Sequence, residues 1–232
     1  MNDSLSIFMP FYNDAGTVKK MISEAYYYGG KLTNDLEVVA VNDGSTDHTL
    51  KELKQMRKQF PALKIVFHKK NRGYGGALRS GISNTTKKWV FYTDGDAQYH
   101  FDELEKLWLM RNDCDVVNGY KLHRSDNLVR KVVGSLYSRV VKSIFKTPIT
   151  DVDCDFRLIN GSVLRSLDLK CSSGAITVEL VKKLYSKTKK FKEIGVNHYS
   201  REYGRSTFFT PVNIFSTVKE EISLLKEFRR KG

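Results

Sequence analysis

Strand and helix signals alternate along the first 120 residues, and that alternation limits the fold more than any other feature of the sequence. Residues 6–9 form a short apolar run closed by Pro10, which predicts a buried strand. Ala15, Val18, Met21, Ile22 and Ala25 then recur at helical spacing, and Gly29-Gly30 ends that helix. Residues 36–41, 63–67, 89–93 and 115–120 predict further strands. Between them lie a helix with Leu50, Leu53 and Met56 inward, a small-residue helix near 77–82 and a helix over 101–110. Such alternation builds βαβ units. The expected fold class is therefore α/β, with a mostly parallel central sheet flanked by helices.

The second half is less regular. Residues 127–145 predict a long amphipathic helix or helix pair, 175–185 a helix and 191–199 a strand. A last helix over 212–228 carries Phe215, Val218, Ile222 and Leu225 on one side and ends in a basic tail. The expected organisation is one domain over 1–210, followed by this helix and tail over 211–232. A chain of 232 residues can bury one large core, and 41% hydrophobic with 28% charged residues excludes a disordered chain. The apolar runs are too short to cross a bilayer, which takes about 20 residues. No secretory leader pattern opens the chain, and Cys114, Cys154 and Cys171 form no CxxC pair. Neither a disulfide framework nor a zinc ribbon is expected, and a reducing cytoplasm fits. The net charge of +13 predicts polyanionic partners: nucleic acid, an anionic membrane surface or phosphorylated substrates. No nucleic-acid motif and no basic stripe interleaved with aromatics is present, so nucleic acid is not expected.

Ligands in an open α/β sheet sit beyond the carboxyl ends of the strands. Three polar clusters fall there: Pro10-Phe11-Tyr12-Asn13-Asp14, Asn42-Asp43-Gly44 and Asp94-Gly95-Asp96. One acidic turn is ordinarily a helix cap. Several together repel one another unless a cation or ligand joins them. Asp94 and Asp96, spaced by one residue, suit Mg2+ or Mn2+, hard cations that take further ligands from substrate phosphate and water. An EF-hand is excluded because Tyr99 stands where that loop requires glycine. The loop Asn71-Arg72-Gly73-Tyr74-Gly75-Gly76 offers backbone N–H groups to a phosphate, or else permits close helix–sheet packing. It is neither a dinucleotide fingerprint, since Leu78 holds the third glycine position, nor a Walker A loop.

Pro10-x-Tyr12-Asn13, Val41-Asn42-Asp43-Gly44-Ser45-x-Asp47, Asn71-x-Gly73-x-Gly75-Gly76-Ala77-x-x-x-Gly81 and Asp94-Gly95-Asp96-Ala97-Gln98 occur in that order. Together they resemble the family 2 glycosyltransferases, which have the GT-A fold. Asp151-x-Asp153-Cys154-x-Phe156-Arg157, Glu179 and Arg201-x-Tyr203-Gly204-x-Ser206 extend the likeness to the branch of dolichol-phosphate mannosyltransferase and the polyprenyl-phosphate glycosyltransferases. The likeness covers roughly residues 5–210. Two positions depart from the branch: Asp155 replaces a small residue, and Thr207 stands where lysine often follows the serine.

The resemblance implies a metal-dependent inverting transfer from a UDP- or GDP-sugar to a polyprenyl phosphate, with a hydroxyl acceptor as the alternative. Pro10, Tyr12, Asn13, Asp14 and Asp43 would hold the nucleoside, with Arg72, Gly73 and Gly76 lying against it. Asp94, Gly95 and Asp96 would meet the diphosphate. Asp94, Asp96 and Gln98 would address Mg2+ or Mn2+. Asp151, Glu179 and Arg201 are the implied catalytic residues. Lys121, Arg130 and Ser206 are implied on the acceptor side. The implied location is cytoplasmic, peripheral on the cytoplasmic membrane face. Self-association stays open.

Overall fold

A computed structural model of the chain describes residues 3–124, 141–204 and 210–231. Residues 5–124 follow the predicted alternation: β1 (Leu5–Phe11), α1 (Val18–Leu32), β2 (Leu36–Asn42), α2 (Thr49–Gln59), β3 (Lys64–Phe67), α3 (Gly73–Ser83), β4 (Trp89–Thr93), α4 (Leu104–Met110) and β5 (Val116–Arg124). After these come β6 (Phe156–Asn160), α5 (Gly161–Arg165), α6 (Ala175–Lys187), β7 (Phe191–His198) and α7 (Pro211–Lys231). Of the helix predicted over 127–145, residues 141–145 are described and helical; the rest lies outside the described residues.

Among the described residues the sheet has seven strands, in the order β3-β2-β1-β4-β6-β5-β7. β1 pairs in parallel with both β2 and β4, and β5 pairs in parallel with β7. The exception is β6, which runs antiparallel between β4 and β5. The sequence reading missed β6. At five residues with Arg157 inside and Asp155 before it, the segment carries too little apolar pattern to announce a strand.

Side chains alternate along each strand, so successive residues enter opposite cores. Leu5, Ile7, Met9 and Phe11 of β1 meet Val18, Met21 and Ile22 of α1 on one face. Phe8, Val39, Val41 and Tyr92 meet Ala77, Leu78 and Ile82 of α3 on the other. Both faces of β1 are thus covered, and all seven of its residues are buried. That is why these strands read as unbroken apolar runs. Glu37, the one acid inside the β2 run, is neutralised at the end of the sheet away from the carboxyl ends of the strands: Ser6 Oγ donates to it at 2.6 Å and Lys64 Nζ at 2.5 Å. The last helix, α7, packs on α6, burying Thr217, Glu221 and Leu224. The apolar stripe predicted to define it is turned otherwise: Phe215, Val218 and Ile222 are exposed.

Candidate active site

The parallel pairs bring the three acidic turns to one place. Beyond β1, the Asp43 N–H donates to the Phe11 carbonyl at 2.9 Å and the Gly95 N–H donates to the Pro10 carbonyl at 3.0 Å. The turns after β2 and β4 therefore flank the end of β1, with Asp43 on one side and Asp94 on the other. Thr17 Oγ donates to the Gly95 carbonyl at 2.6 Å, tying α1 to the same turn.

β6 adds a carboxylate that spacing alone did not reveal. Thr93 faces Phe156 in the β4–β6 register, so Asp155 stands beside Asp94. Tyr74 Oη donates to Asp94 at 2.8 Å, and Tyr92 Oη lies 3.3 Å from Asp155. Under them lies Arg157, fully buried, whose guanidinium donates to Asn118 Oδ1 at 2.5 Å, to Tyr92 Oη at 2.7 Å and to the Val152 carbonyl. A buried cation with three acceptors fixes the floor of the crevice, because leaving any of them unpaired in low dielectric is costly.

The electrostatics of the crevice are strained. Burial, then the neighbouring Asp155 and Asp96 charges, hold the Asp94 carboxyl well above the usual carboxylate range. Burial raises Asp96 as well, against the pull of Arg201. Asp155 is pushed up to about 6, chiefly by burial, with Arg157 and Lys121 opposing. Ala97, in the same turn, holds φ at 62°, a left-handed backbone that is strained for a residue with a Cβ. Carboxylates crowded in this way fit a polyvalent cation. Among the described residues no three His, Cys, Asp or Glu side chains are grouped as a metal cage. A cation held by Asp94 and Asp96 would therefore complete its shell from a ligand and water, as Mg2+ commonly does.

The wall opposite is the segment after β7. Arg201 donates to Asp96 Oδ2 and reaches Asp14 Oδ1 at 3.4 Å. Its neighbours fasten the segment down: the Tyr199 N–H donates to the Gln98 carbonyl at 2.8 Å, and the Tyr203 ring sits so close to Gly16 that a Cβ there would lie 2.4 Å from it. On the far side, Lys121 Nζ donates to the Asp153 carbonyl at 2.8 Å and the Lys121 N–H lies 3.4 Å from Asp151 Oδ2. Burial pulls the Lys121 ammonium down, but Asp151, Cys154 and Asp153 outweigh it and hold it above its ordinary value. The crevice thus pairs buried carboxylates with two cations at its edges, an arrangement suited to a substrate with phosphates and a bound cation.

The sequence profile of Glycosyl transferase family 2 matches residues 6–167. This chain belongs to that family. It is 26% identical over 207 residues to an undecaprenyl-phosphate 4-deoxy-4-formamido-L-arabinose transferase of Enterobacter sp. (strain 638), covering 88% of this chain and 62% of that protein. A dodecaprenyl-phosphate galacturonate synthase of Rhizobium johnstonii is 24% identical over 208 residues, covering 88% of this chain and 61% of the relative. The family 2 chain therefore spans about three-fifths of the length of these relatives. Among solved structures, the Pyrobaculum calidifontis mannosyltransferase PcManGT in complex with GDP-Man and Mn2+ superposes with a TM-score of 0.68 at 20% identity, covering 96% of this chain and 65% of that one. Glucosyl-3-phosphoglycerate synthase from Mycobacterium tuberculosis in complex with UDP gives 0.69 at 15% identity, covering 96% and 79%. The fold is GT-A.

Most residues singled out in the family 2 sequence meet in this crevice: Pro10, Tyr12, Asn13 and Asp14 at its β1 edge, Asp43 and Arg72 beside it, Asp94, Gly95 and Asp96 at its centre, with Asp151, Lys121 and Arg201 around it. Asp43 is buried. Its Oδ1 meets His68 Nδ1 at 2.5 Å and accepts the Arg72 N–H at 2.8 Å, so it organises the turn that enters α3. Asn13, at φ 57°, accepts the Thr46 N–H at 2.8 Å and clamps the β1 and β2 turns together. The Gln98 side chain is engaged by the segment after β7, its Nε2 donating to the Tyr199 carbonyl at 2.9 Å. Arg130 and Ser206 lie outside the described residues.

Two expectations change. Glu179 does not reach the crevice. It is fully buried in α6 and accepts the N–H groups of Lys170 and Cys171 at 2.8–3.0 Å, with Lys183 Nζ at 2.5 Å. A carboxylate satisfied by two backbone donors and an ammonium is a clamp on the loop before α6. The glycine loop is not an open phosphate cradle either. The Gly75 N–H donates to the Ser172 carbonyl at 2.9 Å and the Gly73 N–H to Asn71 Oδ1 at 2.8 Å. Gly73, at φ 75°, would place a Cβ 2.4 Å from the Ser172 carbonyl oxygen, and Gly75 would place one 2.1 Å from that of Cys171. These glycines let the loop clamped by Glu179 lie directly against α3. The loop contributes Tyr74 to Asp94 instead.

The Asp14 carboxyl gives a pH signature. Burial pushes it up to about 6 despite the Tyr12 N–H and Arg201. A carboxyl raised in the folded state favours folding when protonated, and that advantage disappears as pH rises through about 6. Lowering the pH from about 8 to about 5 is therefore expected to shift the stability difference between wild type and Asp14→Asn toward wild type, by roughly 1.4 kcal/mol. Denaturant midpoints across that range check it. A difference that stays flat or moves toward the variant contradicts the burial argument.

Proposed function

We propose that this chain is an inverting glycosyltransferase that moves a sugar from a UDP- or GDP-sugar to a polyprenyl phosphate at a membrane surface. The observation that carries the reading is the meeting of buried Asp94 and Asp96 with Arg201 at the shared end of β1 and β4. The names of the relatives, an undecaprenyl-phosphate sugar transferase and a dodecaprenyl-phosphate galacturonate synthase, support the acceptor class. The GDP-Man and Mn2+ held by PcManGT support the donor class and the cation.

Asp94 and Asp96 would hold Mg2+ or Mn2+, which supplies charge neutralisation on the departing nucleoside diphosphate. The β1 and β2 turns would seat the nucleoside, with Asp14 oriented by the Tyr12 N–H at 2.9 Å. Arg201 would release Asp96 and turn to the diphosphate. Lys121, beside Asp151, would position the acceptor phosphate opposite the leaving group, which yields inversion. A phosphate acceptor is already anionic and needs positioning, not a base. A hydroxyl acceptor would need one, and Asp151 is the carboxylate placed to serve. The buried position of Glu179 gives it a positioning role on the loop before α6.

Among the described residues no helix is long and apolar enough to cross a membrane. We place the chain at the cytoplasmic face as a peripheral protein, where nucleotide sugars and a lipid phosphate can meet. The test is purified chain with Mn2+, a panel of sugar nucleotides and a short polyprenyl phosphate. The expected product is a lipid-linked sugar released by mild acid, lost when EDTA is added. An acid-stable product bond selects the hydroxyl acceptor. Donor binding without turnover on any acceptor overturns the enzymatic reading.

A further inference from the structure

α7 has two faces with opposite chemistry. Toward the body it buries Thr217, Glu221 and Leu224, with Leu225 and Phe228 packed half-buried against the core. Glu220 fastens this side, accepting the Ser172 N–H at 3.1 Å, the Ser173 N–H at 3.0 Å and the Ser173 hydroxyl at 2.6 Å. The outward face carries Val212, Phe215, Val218 and Ile222, exposed by 75, 72, 44 and 50%. Lys219 and Lys226, both exposed, lie among them at helical spacing. Glu220 and Glu221 are turned to the body, so the outward stripe combines large apolar side chains with ammonium groups.

We propose that this face of α7 seats the chain on an anionic lipid bilayer. Isolated exposed apolar residues are ordinary, but four in one helical stripe, one of them a phenylalanine, form a continuous patch. Lysines within the stripe match an anionic headgroup layer while their stems lie on the acyl boundary. The net charge of +13 draws the whole molecule the same way. Place in the fold adds the third argument. The Ser172–Ser173 turn held by Glu220 is the one whose carbonyl receives the Gly75 N–H, and the adjacent Tyr74 reaches Asp94. α7 is therefore linked through this turn to the wall of the crevice that carries Tyr74. The purpose of this placement rests on the lipid-acceptor reading. The binding itself does not.

The test is cosedimentation of the full chain with phosphatidylcholine vesicles, with and without phosphatidylglycerol, and with no polyprenyl phosphate. Wild type is expected to bind the anionic vesicles and to bind the neutral ones more weakly. Phe215→Ser with Ile222→Ser, both on the exposed face, is expected to weaken partitioning about 100-fold with an unchanged melting temperature. Lys219→Glu with Lys226→Glu is expected to remove the preference for anionic vesicles by about 10-fold or more. Undiminished vesicle binding by both double variants overturns the proposal. So does a wild type that ignores vesicles and instead dimerises with rising concentration, if Phe215→Ser with Ile222→Ser abolishes the dimer, because the stripe then covers a second copy. Vesicle binding without polyprenyl transfer would leave this face assigned and remove only the acceptor reading.

Discussion

Replacing Asp94 with asparagine is expected to lower sugar transfer by about 10²–10³-fold while raising the melting temperature by about 2–4 °C. The two effects have one cause. Asp94 is surrounded by Asp155 and Asp96, and burial with their charges holds its carboxyl far above the ordinary range. Ionising it in the ligand-free protein therefore costs folding free energy, and asparagine removes that cost. Its amide oxygen can still accept the Tyr74 hydroxyl, so the local hydrogen bond survives. The same charge density would attract a divalent cation and a diphosphate, so the neutral amide loses binding where the charge is needed. Single-turnover rates and thermal melts on one preparation separate the contributions. A rate near wild type would remove Asp94 from the diphosphate site. A fall in both rate and melting temperature would make it a structural residue.

Arg201→Gln is expected to reduce kcat/KM by about 10²-fold, yet to tighten Mn2+ binding in the absence of nucleotide by about 10-fold. Arg201 donates to Asp96 and reaches Asp14, with side-chain exposures of 25, 5 and 8% for Arg201, Asp96 and Asp14. It is thus the counter-ion of the carboxylates that a metal would use. Removing it leaves them uncompensated, so the melting temperature should fall and Mn2+ should restore most of the loss. The rate falls because the guanidinium is also the group placed to meet charge on the leaving diphosphate. Calorimetric titration of Mn2+ into both proteins decides the matter. Equal affinities would mean that Arg201 does not stand where the cation binds, and its contacts with Asp96 and Asp14 would then be purely structural.

Much of the framework was legible in the sequence because parallel strands covered on both faces leave continuous apolar runs, and short turns leave polar clusters at their ends. Asp94 and Asp96 declared themselves because two carboxylates one residue apart are a local pattern. Asp43 and Asp14 followed once the strand ends were assumed to converge. Asp155 could be seen only as an oddity, since its meaning depends on β6 running antiparallel beside β4. Arg157 stood in the sequence only as part of a motif, and it lies completely buried under the crevice. Glu179 looked catalytic by motif. The surroundings of α6 made it a clamp, because a carboxylate out of water must be satisfied and backbone donors were at hand.

The chain's own order of residues determined that a βαβ sheet would form, that its strand ends would be acidic, and that a basic amphipathic helix would follow. Hydrophobic periodicity and turn chemistry act between near neighbours, and near neighbours are what a sequence displays. Only the tertiary structure decided which carboxylates share the crevice, which cation covers them, and which side of α7 faces outward. Those outcomes depend on burial and on partners far apart along the chain, where desolvation sets what a charge costs and what it must touch.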